Sequence, residues 1–337
     1  MSRSNPVLVQ VTRGDAVESI HRGSAVVMEA SGTVVAAWGD VESPVFPRSA
    51  VKPLQALALI ESGAAEALGV TDAEIALACA SHAGEAAHTD VVSQWLERLG
   101  LGVGDLECGA HAPRDTAAAR ALVKQGASPS ALHNNCSGKH AGFLATARHR
   151  GLAIKGYTAH THGVQEGWVR VLAEMSGAEL SETARGTDGC GIPTVALPLT
   201  GLARAMARLA DPSAFPPERA AAARRITVAM IRHPHLVGGR QRFDTAAIEA
   251  GRGAFIVKVG AEGVYAAALP GQGLGCALKI DDGARRAAEV AVTALLDHLG
   301  VLDDAARKAL AGHLDRPVYS IAGKPVGAIR PAPGWPA

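Results

Sequence analysis

Strand-like sequence occupies both ends of this chain and helical sequence fills the middle, an order that admits few folds. At the start, Val7–Thr12, Ala25–Ala30 and Val34–Trp38 are rich in β-branched residues, with Ser31 and Gly32 as the turn between the last two. Towards the end, Phe255–Val259, Val264–Leu269 and Leu278–Ile280 read as strands, separated by turns at Gly260–Gly263 and Pro270–Gly275. A long helix over Ala287–Leu299 follows, then two edge-strand candidates at Val318–Ile321 and Val326–Ile329. The expected fold is therefore α/β of the α+β kind: one antiparallel sheet made from both termini, packed with a mostly helical region. The sheet region covers about 1–48 and 253–337 and the helical region about 49–252, all within one unit spanning 1–337.

The middle is punctuated by helix signals. Gly39 to Arg48 is a loop, and a helical pattern runs from about Ala50 to Glu61, with Pro53 in its first turn and Gly63 as a stop. Thr71 with Glu74 is a capping-box signature before Ile75–Ala80, and Thr89 reads as the N-cap of Val91–Leu99. Leu199–Leu209 and Pro217–Ile231 are further helices, each preceded by proline.

Composition narrows the function. Lys plus Arg number 33 against 32 for Asp plus Glu, with no basic stripe, so the electrostatic footprint of a nucleic-acid binder is missing. No apolar run approaches the roughly 18 residues of a membrane helix, and Met1–Gly14 does not read as a signal peptide. The five cysteines are an odd count with wide spacing, which fits reduced thiols in the cytoplasm.

Several short runs carry chemistry. Ser49 and Lys52 lie three apart where a loop becomes a helix, which places both side chains on one helical face. A serine hydroxyl becomes a nucleophile when a base takes its proton, and a desolvated lysine can be that base. The helix start adds backbone N–H groups for an oxyanion. Read alone, Ser49 fits an N-cap and Lys52 a solvated cation. Ser81 follows a helix and opens a loop, where it offers a second hydroxyl or merely ends the helix. Lys258, on a late strand before Val259 and Gly260, is placed as the lysine of the K-T-G element in penicillin-recognising enzymes, or is a plain surface lysine. The order of these three pieces is more specific than any one of them.

Two polar loops each hold a cysteine: His133–His140, with Cys136, Lys139 and His140, and Thr187–Pro193, with Asp188 and Cys190. Two thiolates and a third donor suit Zn²⁺, and two buried inert cysteines suit the residues equally well. Other features point less clearly. His233 and His235 read as surface histidines. Gly271–Gly275 joins two strands and so is no phosphate loop. Arg240, Arg242 and Asp244 either meet a substrate carboxylate or pair among themselves.

Taken together, the runs Arg48–Pro53, Ala80–Glu85, His133–Gly142 (HNNCSGKHAG), Asp188–Pro193 and Lys258–Gly263 resemble the bacterial asparaginases of the Rhizobium etli type, the inducible, thermolabile class 3 family. The resemblance covers nearly the whole chain. It implies a serine β-lactamase-like or penicillin-binding-protein-like fold, a cytoplasmic homodimer, and hydrolysis of L-asparagine, a small-molecule substrate, to aspartate and ammonia. It further implies two Ser–Lys tandems, Ser49 with Lys52 and Ser81 with Lys258. It also implies a Zn²⁺ site on Cys136, Lys139 and Cys190, with Asp188 and His140 beside the metal and Arg48 at the substrate. Two departures stand out: Val259 replaces the threonine of K-T-G, and neither Trp38 nor the stretch His160–Gln165 has a mapped role. The expected mechanism is attack by Ser49, with Lys52 as base, on the asparagine side-chain carbonyl, followed by proton relay through Ser81 and Lys258 and by hydrolysis. Two rival readings remain at this level. One is a penicillin-recognising hydrolase or D,D-peptidase, the other a non-catalytic zinc- or redox-sensing binding protein.

Overall fold

The computed structural model describes residues 4–337 and divides the chain into two compact units. The first gathers the chain up to Ala50, Leu197–Asp211 and Glu249–Ala337; the second holds Val51–Ala196 and Pro212–Ile248.

In the first unit, strands from both ends of the chain form one eight-stranded sheet. Its order is Arg316–Tyr319, Pro325–Pro331, Val7–Arg13, Ala16–Glu29, Leu274–Ile280, Val264–Leu269 and Ile256–Val259, and Val34–Trp38 also pairs with Ala16–Glu29. Every pairing is antiparallel. The strand Ala16–Glu29 is the organiser: residues up to Arg22 pair with Val7–Arg13, and residues from Gly23 pair with Leu274–Ile280. Its first half is largely exposed and its second half buried from Ser24 to Met28. That is why only the second half reads as a strand in the sequence. The tail strand Pro325–Pro331 lies inside the sheet rather than at its edge, because Arg316–Tyr319 covers its outer side.

The helices Leu199–Ala210 and Arg285–His298 pack on this sheet. Gly275 shows how closely the first of them approaches. A Cβ there would stand 2.1 Å from the backbone nitrogen of Ala207 and 2.2 Å from the carbonyl oxygen of Ala203. The turn expected over Pro270–Gly275 is accordingly shorter, since Leu274 and Gly275 already belong to the strand. Glycine here serves helix-on-sheet contact, not a turn.

The second unit is a helical assembly. Lys52–Glu61, Asp72–Ala78, Ser137–His149, Gly163–Ser176 and Pro217–Arg232 pack on one another around Leu54, Leu57, Ile75, Leu144, Trp168 and Ile226, all essentially excluded from solvent. The cap at Thr71 forms in both directions: the Glu74 amide donates to Thr71 Oγ1 at 3.3 Å, and the Thr71 amide donates to Glu74 Oε2 at 2.8 Å. Thr89 is not a cap. The helix begins at Ala86, and Thr89 sits within its first turn donating its hydroxyl to the Ala86 carbonyl. Two glycines of the HNNCSGKHAG run are packing residues; at Gly138, a Cβ would stand 2.4 Å from the Leu77 carbonyl oxygen. Among the described residues, no helix is long and apolar enough to cross a membrane.

Candidate active site

Ser49 and Lys258 belong to the first unit. The segment Arg48–Val51 forms a single 3-10 turn that runs straight into the helix Lys52–Glu61, with Pro53 in the first turn, where its missing N–H costs nothing. Ser49 thus stands where helix N–H groups are not yet spent on intrahelical bonds. Arg48 adopts the left-handed conformation, φ 52°, rare for a residue with a side chain. Such local strain just before Ser49 marks a backbone whose direction is imposed by its surroundings. Part of that imposition comes from the strand of Lys258. Gly260 lets the backbone of Pro47 approach so closely that a Cβ would meet the Pro47 carbonyl at 2.6 Å, and the same carbonyl accepts from the Ala50 amide at 3.0 Å. Lys258 is fully buried on Ile256–Val259, and its amine donates to the Val259 carbonyl at 3.1 Å.

Lys52, Ser81, Cys136, Lys139, His140, Asp188 and Cys190 belong to the second unit. The segment Ala80–Glu85 has no regular structure yet is buried throughout. Its backbone groups are paired locally: the Ser81 amide donates to the Val237 carbonyl, and the His82 amide to that of Asn135. Into this segment reaches Lys52, 1% exposed. Its amine donates to the Ala80 carbonyl, lies 3.2 Å from Ser81 Oγ and 3.4 Å from the Asn135 carbonyl. Burial pushes this lysine below its ordinary range; the sulfur of Cys136 pulls it back, and the Lys139 charge adds to the depression.

The second cluster is built on the helix Ser137–His149. Cys136 caps it, and Lys139, His140 and Phe143 follow at helical spacing on one face. The Lys139 amine donates to Cys190 Sγ at 3.0 Å. Cys190 is brought there by a tight turn in which the Gly191 amide donates to the Asp188 carbonyl. The hydrogen bond between the two buried thiols holds Cys136 well below the ordinary thiol range and Cys190 above it. Burial works against charge on Lys139, but Cys136, Cys190 and Asp188 outweigh it and keep the amine above the ordinary lysine range. Two sulfurs and one nitrogen therefore converge in a buried place, a donor set that fits a tetrahedral Zn²⁺ once Lys139 gives up its proton.

The sequence profile of L-asparaginase II matches residues 9–331. The chain belongs to the L-asparaginase II family. Among curated proteins, none matches it. Solved structures similar to it include a β-lactamase from Mycobacterium bovis, 14% identical with a TM-score of 0.40, covering 86% of this chain and 94% of that one. Another is Mglu in its native form in 4.3 M NaCl, 14% identical with a TM-score of 0.47, covering 89% and 66%. A third is simvastatin synthase from Aspergillus terreus, 13% identical with a TM-score of 0.35, covering 77% and 86%.

In this family member the sequence-derived residues fall into the two groups just described: Arg48, Ser49 and Lys258 in one unit, the other seven in the second. The sequence reading, following the resemblance, gave Lys52 to Ser49 and Lys258 to Ser81. The Lys52 amine is within hydrogen-bond distance of Ser81. Of the three residues Arg240, Arg242 and Asp244, Arg240 engages Glu85, donating its amide to the carboxylate at 2.6 Å.

Three supporting residues escaped the sequence reading. His82 is fully buried; its Nδ1 accepts from the Gly84 amide, so its Nε2–H is the donor to Ser137 Oγ at 2.9 Å. Ser137 in turn donates to the Leu132 carbonyl. His82 thereby ties the Ser81 segment to the first turn of the helix bearing Lys139. His88 stacks on His82 with ring centroids 4.8 Å apart and on His235 at 5.4 Å. Ligand atoms of Glu85, His88 and His235 converge within 4.8 Å. Yet both nitrogens of His88 are committed to backbone groups, of Glu85 and of His235, so the group is a structural stack. The third is Tyr157, taken up below.

Burial pushes His82 and His88 below the ordinary histidine range. In the unfolded chain both would titrate near ~6.5, so below that pH the unfolded state binds more protons than the folded one. Stability is therefore fully present above about pH 6.5 and declines as pH falls, by about 1.4 kcal/mol per pH unit for each histidine that stays neutral in the fold. Unfolding followed by circular dichroism between about pH 7 and pH 5 should show a shallower decline in His82→Gln than in the parent. Equal slopes would remove His82 from this account.

Proposed function

We propose that this chain hydrolyses L-asparagine to L-aspartate and ammonia through a serine acyl-enzyme, with Ser49 as nucleophile. The family match over residues 9–331 carries the reading. The environment of Lys52 supports the chemistry. Its amine is held by the Ala80 and Asn135 carbonyls and the Ser81 hydroxyl, and burial disfavours its charge. A buried lysine so held is a base rather than a counter-ion.

In the proposed sequence Lys52 accepts the Ser49 proton as Ser49 attacks the amide carbon of the substrate side chain. Backbone N–H groups at the start of the Arg48–Glu61 helical run take the oxyanion. The proton passes through Ser81 and Lys258 to the departing ammonia. Water then adds to the ester and frees aspartate, restoring Ser49. Arg48 is assigned to the substrate carboxylate. Zn²⁺ is proposed to bind Cys136, Lys139 and Cys190, with Asp188 and His140 beside it. Bound there, it supplies fixed positive charge that orients the substrate or the Cys190 loop. All five cysteines are buried and free, which suits a reducing compartment; a cytoplasmic homodimer is the assembly proposed.

Ammonia release measured with L-asparagine, L-glutamine and buffer alone tests this reading, with a fluorescent penicillin as a parallel probe. Release from asparagine alone, without covalent penicillin, is expected. Penicillin acylation without ammonia would favour the penicillin-recognising alternative, and silence in every arm a non-catalytic protein.

A further inference from the structure

Tyr157 stands in a stretch with no recognisable motif, yet it is held at almost every polar atom. It is fully excluded from solvent. The Glu107 amide donates to its phenol oxygen at 2.9 Å. The Glu107 carboxylate accepts from the Gly156 amide at 2.7 Å and from the Thr158 hydroxyl at 2.9 Å, clamping the residues on either side. The Tyr157 carbonyl accepts from Gln165 Nε2 at 2.8 Å, and Gln165 is fixed by the indole N–H of Trp168 at 2.7 Å. This gives Gln165, in the unmapped stretch His160–Gln165, a definite place.

The phenol lies 2.6 Å from His140 Nδ1. Because the Glu107 N–H already points at the phenol oxygen, the hydroxyl hydrogen has one acceptor within reach, His140 Nδ1. The reverse arrangement, with Nδ1–H donating, would leave both the phenol hydrogen and Nε2 without partners. With Nδ1 accepting, the imidazole proton resides on Nε2. That Nε2 is buried, His140 is 0% exposed, and among the described residues no atom accepts from it. A buried donor of this kind is costly unless something else accepts its hydrogen. His140 and Lys139 flank one ring: the His140 centroid is 6.1 Å from that of Phe143, and the Lys139 amine 5.9 Å. The charges of Lys139 and Lys52 both act on the His140 ring, which puts it near the buried amines of the second unit.

We infer that Tyr157 is a positioning residue that holds His140 as the Nε2–H tautomer, so that the imidazole donates one hydrogen bond to an oxygen of the ligand bound at the Lys139 cluster. This assignment rests on the proposed asparaginase site for the identity of that oxygen, either the substrate carboxylate or a water held with it. The tautomer itself rests only on the Glu107–Tyr157–His140 chain.

The test is nitrogen NMR on the full-length chain labelled at histidine. His140 is expected to show a protonated Nε2 and an acceptor Nδ1 near neutral pH. Added L-aspartate should move the Nε2–H resonance if a carboxylate is the acceptor, whereas a resonance that stays put and shows a cross-peak to water identifies a held water. A protonated Nδ1, or a doubly protonated ring, overturns the inference whether or not the protein hydrolyses asparagine. In kinetics, His140→Leu should lose about 30-fold in kcat/KM and His140→Gln, which retains a donor near the same position, should recover most of it. Tyr157→Phe should fold, broaden the Nε2–H signal and raise KM about tenfold. A Tyr157→Phe protein with parental KM and an unchanged signal would contradict the positioning role.

Discussion

Lys52→Met should fold and release ammonia from asparagine at least about 10³-fold more slowly than the parent chain. The fold survives because methionine fills similar space and needs no partner, while the parent lysine is 1% exposed and its charge is costly there. Activity is lost because the proposed base is gone, and a positioned base contributes roughly 10²–10⁴-fold. Lys52→Arg should be as inactive, since a guanidinium cannot give up its proton at any usable pH. The parent's pH profile should agree: burial lowers Lys52, so the acid limb of the rate should lie below the ~10.4 of an ordinary lysine. Rate rises with pH through that depressed value as the neutral amine accumulates. Ammonia assays across pH on the three proteins check this, and a Lys52→Met enzyme within tenfold of the parent would dismiss Lys52 as the base.

Gly275→Ala should be the most damaging single-methyl change in the sheet unit, costing about 3 kcal/mol or more. The added carbon would lie 2.1 Å from one backbone atom of the helix Leu199–Ala210 and 2.2 Å from another. Backbone cannot rotate aside as a side chain can, so the helix must lift from the strands beneath it, breaking contacts made by Ala203, Met206 and Ala207. Gly271→Ala, where a Cβ meets nothing within 4 Å, is the control and should be near neutral. Thermal unfolding of the two variants checks the contrast; equal midpoints would show that the helix does not sit on Gly275.

Those two glycines share one short run of sequence, which shows where reading letters succeeds and fails. The turns on either side gave the strand Val264–Leu269 its bounds, and all six of its residues are buried. The hairpin at Arg13–Asp15 was invisible because the strand leaving it, Ala16–Arg22, carries Glu18, His21 and Arg22 and is mostly exposed, so nothing apolar marks its period. Thr89 resembled a cap by residue type alone; the true helix start at Glu85 is marked by the Glu85 amide donating to His88 Nδ1, an uncommon partner for that task. The residues proposed for the chemistry stood out in the sequence where they came in runs: Ser49 with Lys52, and Cys136 with Lys139. Tyr157 and His82 did not, because each acts through a partner distant in sequence, His140 and Ser137, and a lone buried ring has no spacing to read. Nor does spacing reveal that Lys52 meets Ser81, which depends on where the turn after Asp72–Ala78 ends.

The central claim is that Ser49 becomes esterified during turnover. Acid quenching of the full-length chain within a single turnover of L-asparagine, followed by intact-mass and peptide mass spectrometry, addresses it directly. The expected result is a species heavier by one aspartyl group, with the adduct on the peptide containing Ser49 and missing from Ser49→Ala. Ammonia release at full rate with no adduct, or with the adduct on Ser81, would contradict the assignment.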